Sequence, residues 1–101
     1  MIMRIWRGRT PAAKADAYLK LMRTLALPDY RGVEGCLGAW VTRRIAGDVA
    51  HFQTVSLWRD LDAVEVFAGS PADAARYYDF DADFLLELEP TVEHWEAYDD
   101  A

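Results

Sequence analysis

The chain has 101 residues, of which 52% are apolar, so we expect one domain spanning residues 1–101 with a core of limited size. Its net charge of −6 disfavours nucleic-acid binding, because an acidic surface repels phosphates. No segment approaches the ~20 consecutive apolar residues that span a bilayer. The single cysteine, Cys36, cannot form an internal disulfide. Because no signal-peptide pattern opens the chain either, we expect a cytoplasmic protein without a membrane partner.

The predicted elements follow the order strand, helix, strand, strand, helix, helical piece and strand. Their approximate bounds are 2–9, 12–26, 37–42, 49–58, 61–68, 71–78 and 91–98. Thr10 and Pro11 are typical of the start of the first helix, which is expected to bury Leu25 and to end at Pro28. Asp60 is a predicted N-cap of the second helix.

This order predicts an α+β, ferredoxin-like split βαβ fold, in which helices cover one face of an antiparallel four-stranded sheet. The strands carry apolar or aromatic residues on both faces, so the uncovered face is expected to meet a second copy of the chain. Two sheets packed face to face would form a dimeric α+β barrel. The sequence therefore predicts a homodimer.

The charge is distributed unevenly along the chain. Residues 1–50 contain nine Lys or Arg and four Asp or Glu, whereas residues 51–101 contain two and thirteen. The two halves should attract each other, within one chain or between two. The acidic segment 79–89 is expected to be a solvated face that meets the basic first strand, which carries Arg4, Arg7 and Arg9.

His94 is the strongest candidate for acid–base chemistry. The pKa of histidine lies near neutrality, so a histidine facing a pocket could remove a phenolic proton. Strand alternation places His94 and Trp95 on opposite faces. The alternative is a histidine that bonds to a carboxylate or carbonyl near the subunit interface. His51 and His94 are the only histidines and lack metal-ligand spacing, so neither a metal nor a cofactor is expected.

Aromatic residues could line a flat cavity for a small planar aromatic ligand. The candidates are Trp58, Trp6, Trp40, Phe52, Tyr77 and Tyr78. The alternative is that these side chains fill the core and the subunit interface. Tyr77 and Tyr78 lie in a short segment that could act as a lid, and a buried hydroxyl of either could bond to a substrate oxygen.

Four segments resemble the antibiotic biosynthesis monooxygenase family, a branch of the dimeric α+β barrel superfamily. They are RIWRGRT (Arg4–Thr10), 32–44, VSLWRDLDAVEVFAG (Val55–Gly69) and FLLELEPTVEHWE (Phe84–Glu96). The resemblance implies a homodimer with a cavity between sheet and helices in each protomer. It also implies either oxygenation of a polycyclic phenol without metal or flavin, or haem degradation.

The family's tryptophan at the end of the third strand corresponds to Trp58. Many members have a histidine about where this chain has Phe67, and the haem-degrading branch adds an asparagine on the first strand. This chain contains no asparagine, so haem degradation by that design is not expected.

The leading hypothesis is a cofactor-independent monooxygenase that acts on a small planar aromatic or quinol-like molecule, with His94, Tyr77 and Tyr78 at its site. The alternatives are a non-catalytic ligand-binding or stress-associated module, and a structural dimer whose cavity is filled by its own aromatic residues. One fold hosts many functions, so the fold does not decide among them.

Overall fold

The computed structural model describes residues 1–100 and contains a four-stranded antiparallel sheet with the strand order β2-β3-β1-β4. The strands are β1 (Ile2–Pro11), β2 (Cys36–Ala46), β3 (Val49–Trp58) and β4 (Glu93–Glu96). β1 pairs with β3 along its whole length and with β4 on its other side. The predicted ferredoxin-like α+β fold is confirmed.

One continuous helical stretch links β1 to β2 and passes through Pro28. After a 3-10 turn it consists of α1 (Ala15–Leu21), a π-helical segment (Met22–Ala26) and α2 (Leu27–Arg31). The prediction that Pro28 ends the helix is wrong. The N–H of Leu27 donates to the carbonyl of Met22, five residues back, and this wider turn precedes the proline.

The π-helical segment also changes which side chains face the core. Its wider turn holds one extra residue, so the residues after it are rotated relative to a regular α-helix. Ala26 is therefore fully buried, whereas Leu25, which was predicted to be buried, is 54% exposed. Within residues 1–100, no helix combines the length and apolar character needed to cross a membrane.

The third helix, α3 (Leu61–Ala68), begins at the predicted cap. The carboxylate of Asp60 accepts a hydrogen bond from the N–H of Ala63 at 2.9 Å. Gly69, with φ 80°, follows the last helical residue, as the sequence predicted.

The prediction of a helix over 71–78 is wrong. Ala74 instead forms an isolated β-bridge with Thr91, and the N–H of Val92 donates to the carbonyl of Asp73 at 2.8 Å. The backbone of this segment thus pairs with the approach to β4, which satisfies groups that a helix would have bonded internally. The last strand is correspondingly shorter than predicted.

The two faces of the sheet differ in what covers them. The inner face packs against the helices and buries alternate residues of β3, including Phe52, Thr54 and Trp58. The outer face presents Trp40 and Trp95, which are 51% and 57% exposed in the protomer. The helices therefore cover one face only, as the sequence predicted.

The basic and acidic halves of the chain meet within one protomer, which is one of the two arrangements that the charge distribution allowed. Arg9 forms an ion pair with Glu87 at 2.7 Å, and Arg7 forms one with Glu93. The acidic segment is not wholly solvated, however, because Asp81 is buried. Its carboxylate accepts hydrogen bonds at 2.7 Å from the hydroxyl of Tyr18 and from the N–H of Tyr78.

Replacement of Asp81 by Ala should lower the free energy of unfolding by at least ~1–3 kcal/mol, because it leaves the fully buried Tyr18 hydroxyl without its acceptor. Urea unfolding of the purified protein measures this loss. Asp83→Ala is the matched control, since Asp83 is exposed, and its effect should stay within ~0.5 kcal/mol. Equal effects of the two substitutions would contradict a structural role for the Asp81 carboxylate.

Candidate ligand-binding site

Four polar side chains on the inner face have a buried atom without a hydrogen-bond partner within residues 1–100. The atoms are Arg4 Nε, Trp6 Nε1, Thr54 Oγ1 and His94 Nε2. Arg4 lies directly opposite His94 across the β1–β4 pair, and Trp6 lies opposite Thr54 across the β1–β3 pair. These four neighbours are called the inner polar cluster below. Buried polar atoms nearly always have partners, so the cluster marks a candidate site for a ligand.

Arg4 is the most deeply buried charged side chain of the cluster, with 1% of its surface exposed. One terminal nitrogen donates to the carbonyl of Ala74 at 3.1 Å, and the guanidinium lies 5.4 Å from the centre of the Phe67 ring. Burial lowers the pKa of Arg4, and the neighbouring Tyr30 opposes that change. The carbonyl of Ala74, the Phe67 ring and the Tyr30 hydroxyl are all neutral groups, although arginine stays protonated in proteins.

His94 is half-buried beside this cation. Burial lowers the pKa of His94 below its ordinary value of 6.5, the charge of Arg4 lowers it further, and Asp73 opposes both. The imidazole is therefore neutral at pH 7 and can accept a proton.

An aromatic stack packs beneath the inner polar cluster. The ring of Phe67 lies 4.2 Å from that of Tyr30 and 5.5 Å from that of Trp58, centre to centre. Trp58 is fully buried, and its Nε1–H donates to the hydroxyl of Ser56 at 2.8 Å. The planes of these ring pairs are tilted by 36° and 38°, so the stack is an apolar part of the core beneath Arg4.

The hydroxyls of both candidate tyrosines donate hydrogen bonds within the protomer. Tyr77 lies edge-on to Trp6, with 6.3 Å between ring centres, and donates to the carbonyl of Glu89 at 2.5 Å. Tyr78 donates to the carboxylate of Asp29 at 2.8 Å, and burial together with that bond raises its pKa. Neither hydroxyl is therefore free to remove a proton from a ligand.

The structure brings some of the predicted site residues together and separates others. His94, Trp6, Phe52 and Trp58 share the inner face, and Tyr77 contacts Trp6. Tyr78 donates a hydrogen bond to Asp29 of α2 (Leu27–Arg31), and Trp40 lies on the outer face.

Sequence reasoning did not assign Arg4, Tyr30 and Thr54 to the site. The alternation of β1 contained a signal for Arg4, because Arg4 and Trp6 are two residues apart and must share a face. The charge pattern instead groups Arg4 with Arg7 and Arg9, which lie in the same strand and are exposed. Tyr30 lies beyond Pro28, where we expected the helix to have ended.

A cavity of about 570 Å³ lies at the hairpin end of the outer face, on the side away from the inner polar cluster. Its lining includes Arg7, Arg9, Arg44 and His51, together with Glu87. Arg9 and Glu87 already form an ion pair with each other there. Among residues 1–100, no three His, Cys, Asp or Glu side chains are grouped so as to hold a metal ion.

Solved structures similar to this chain carry the same fold. One is a protein proposed to be an antibiotic biosynthesis monooxygenase, from Deinococcus radiodurans, with 19% identity, a TM-score of 0.69, and coverage of 100% of this chain and 96% of that one. Another is an antibiotic biosynthesis monooxygenase with 20% identity, a TM-score of 0.70, and coverage of 98% and 100%. A third is the haem degrader MhuD from Mycobacterium tuberculosis, with two haems bound in its active site. It has 18% identity, a TM-score of 0.61, and coverage of 100% and 99%.

No protein-family model and no curated protein sequence matches the chain. The resemblance to the antibiotic biosynthesis monooxygenase family is thus confirmed at the level of the fold, over the whole chain. At these identities the similarity defines the fold alone, and the chemistry has to be argued from the site.

Proposed function

We propose that this protein is a cofactor-independent monooxygenase that acts on a small planar aromatic or quinol-like molecule. The observation that carries the proposal is the inner polar cluster, in which a neutral His94 with a free Nε2 lies beside a buried cation that packs on the Phe67 ring. Solved structures that share this fold include proteins named as antibiotic biosynthesis monooxygenases.

The chemistry requires a proton acceptor and a dry, flat site. His94 Nε2 takes the phenolic proton of the substrate, and the resulting anion transfers electrons to O₂. A C–O bond forms at the activated ring carbon and the O–O bond then breaks. One oxygen atom stays as a carbonyl, and the other leaves as water with the two hydrogen atoms lost by the substrate. O₂ is the oxidant and the substrate is the only reductant.

The alternative function is a non-catalytic module that binds the same class of ligand. Two observations favour it: the hydroxyls of Tyr77 and Tyr78 are engaged elsewhere, and Trp58 is already packed against Phe67 and Tyr30. The haem of MhuD is not proposed for this chain. Phe67 stands about where many family members have a histidine, and it packs between the rings of Tyr30 and Trp58. His51 lies on the outer face, away from this position.

Oxygen uptake with anthrone tests the choice between enzyme and binding module. Anthrone is planar, its enol form is a phenol, and its oxygenation to anthraquinone consumes one O₂ and releases one water. The enzyme should consume O₂ and form anthraquinone in a one-to-one ratio, faster than the same buffer without protein. Binding of anthrone, seen as tryptophan quenching, without any increase in O₂ uptake would favour the binding module.

We also propose that the protein is a homodimer formed through the outer face, where Trp40 and Trp95 are exposed in the protomer. Trp95→Glu should raise the dimer dissociation constant at least ~30-fold, because it buries an unpaired charge in the interface. Sedimentation equilibrium measures this constant. Val66→Glu is the control, since Val66 is 75% exposed on α3 (Leu61–Ala68). A dimer that persists in Trp95→Glu, or that Val66→Glu weakens equally, would place the interface elsewhere.

A further inference from the structure

We infer that the inner polar cluster binds an ionised oxygen of its planar ligand, and that Arg4 is the group that holds this oxygen. The ligand class is a planar aromatic molecule that carries a carboxylate or a phenolate. This inference rests on the site of the proposed function and specifies the charge of its substrate.

The first argument is the missing counter-ion of Arg4. In the part of the chain that the structure describes, arginines that do pair with carboxylates are at least partly exposed: Arg7, Arg9, Arg43, Arg59 and Arg76. Arg4 is the buried arginine, and its neighbours are the carbonyl of Ala74, the ring of Phe67 and the hydroxyl of Tyr30, none of which is a carboxylate. Burying an unpaired charge is costly, so an anion that entered the site would be strongly favoured.

The second argument is the balance of donors and acceptors. Arg4 Nε and Trp6 Nε1 can only donate hydrogen bonds, and the hydroxyl of Thr54 can donate a third. Buried donors without an acceptor favour a ligand group with several lone pairs and no hydrogen of its own. A carboxylate or a phenolate oxygen meets this requirement, whereas an amide nitrogen or an alkyl group does not.

The third argument is the position of His94. A neutral Nε2 beside Arg4 can remove the proton of a bound phenol, and the charge of Arg4 then stabilises the anion that forms. A carboxylate ligand would arrive already ionised and need no base. Both ligands share the anionic oxygen, so the experiment examines them separately.

Benzoate and its neutral analogue benzamide test the carboxylate. In the ¹⁵N-labelled full chain, the indole N–H of Trp6 should move downfield in the proton dimension with benzoate, because it gains an acceptor. The indole N–H of Trp58 already donates to Ser56 and should move little, which makes it an internal control. Benzamide should bind at least tenfold more weakly. Equal affinities for benzoate and benzamide would overturn the inference for carboxylates.

Arg4→Met separates a ligand-binding role from a structural one. The substitution should abolish the benzoate response and raise the urea midpoint, because it removes an uncompensated buried charge. Arg7→Met, on the opposite face of the same strand, should keep the benzoate response. If Arg4→Met does not fold, Arg4→Lys retains the charge and should still prefer benzoate to benzamide. A benzoate response that survives in Arg4→Met, or a lost preference in Arg4→Lys, would overturn the inference.

4-Nitrophenol tests the phenolate, because its ionised form absorbs at a longer wavelength than its neutral form. On binding to the wild type, its pKa should fall by at least one unit, and in Arg4→Met it should not fall. Binding without a fall in pKa would overturn the inference for phenolates. None of these titrations consumes O₂, so their failure would leave the anthrone assay as a separate test of the proposed function.

Discussion

Replacement of His94 by Gln is expected to lower kcat for anthrone oxygenation by about 10²- to 10⁴-fold, the usual range for loss of a general base. The side chain keeps a similar size and a polar end but can no longer take up a proton. His94 is half-buried at a short strand, so the substitution should leave the protein folded. O₂ uptake under saturating anthrone measures kcat, and circular dichroism checks the fold.

His51→Gln is the matched control for this prediction, because His51 is the other histidine and lines the cavity on the outer face. Its kcat should remain within about twofold of the wild type. If both substitutions change kcat equally, or if neither does, His94 is not the base and the monooxygenase proposal loses its central residue. Loss of the dimer in His94→Gln would instead support the alternative that His94 is an interface residue.

The same base predicts the pH dependence. Because burial and the charge of Arg4 lower the pKa of His94 below 6.5, kcat/KM should be constant above pH 6.5 and fall only at lower pH. Stability should follow the same direction. The unfolded chain protonates His94 at a higher pH than the folded chain does, so stability decreases as the pH falls from 6.5 towards the folded pKa. In His94→Gln both of these dependences should be absent.

The fold could be predicted from local signals where neighbouring residues alone decide the structure. The turn at 46–48 fixed the hairpin, and the predicted strand from Val49 to Trp58 matches β3 at both ends. The Asp60 cap likewise fixed the start of α3 (Leu61–Ala68). These features depend on turn and capping chemistry within a few residues, so no tertiary information was needed.

The errors arose where distant contacts or an irregular helix decide the structure. Pro28 is a local stop signal, and a π-helical segment whose presence the sequence does not reveal overrides it. The segment 71–78 has helical spacing, but its backbone pairs with residues that follow Pro90. Propensity is a weak guide wherever tertiary hydrogen bonds compete with it.

The candidate site could be predicted only in part, because contacts between distant residues arrange it. Alternation in β4 correctly separated His94 from Trp95, and alternation in β3 kept Phe52 with Trp58. The register of β1 against β3 and β4 brings Arg4 beside His94 and Trp6 beside Thr54. Strand pairing across tens of residues sets that register, so the sequence alone offered the residues without their arrangement.

Replacement of Trp58 by Ala is expected to lower the free energy of unfolding by about 3–5 kcal/mol, as for other fully buried large side chains. Trp58 has no exposed surface and packs against Phe67 and Tyr30, so its removal leaves a cavity beside these two rings. Small domains are stable by only ~5–15 kcal/mol, so this loss is a large share of the total. Urea unfolding at several protein concentrations measures it.

Two further substitutions show whether the loss comes from the core or from subunit association. Trp58→Phe retains the ring but removes the donor to Ser56, so it should cost less than Trp58→Ala. Trp40→Ala, on the outer face, should change stability in a manner that depends on protein concentration, because Trp40 acts through the proposed dimer. The stability lost in Trp58→Ala should be the same at every concentration, since Trp58 is buried within one protomer. A concentration-dependent loss in Trp58→Ala would mean that the inner face, too, is completed by the second subunit.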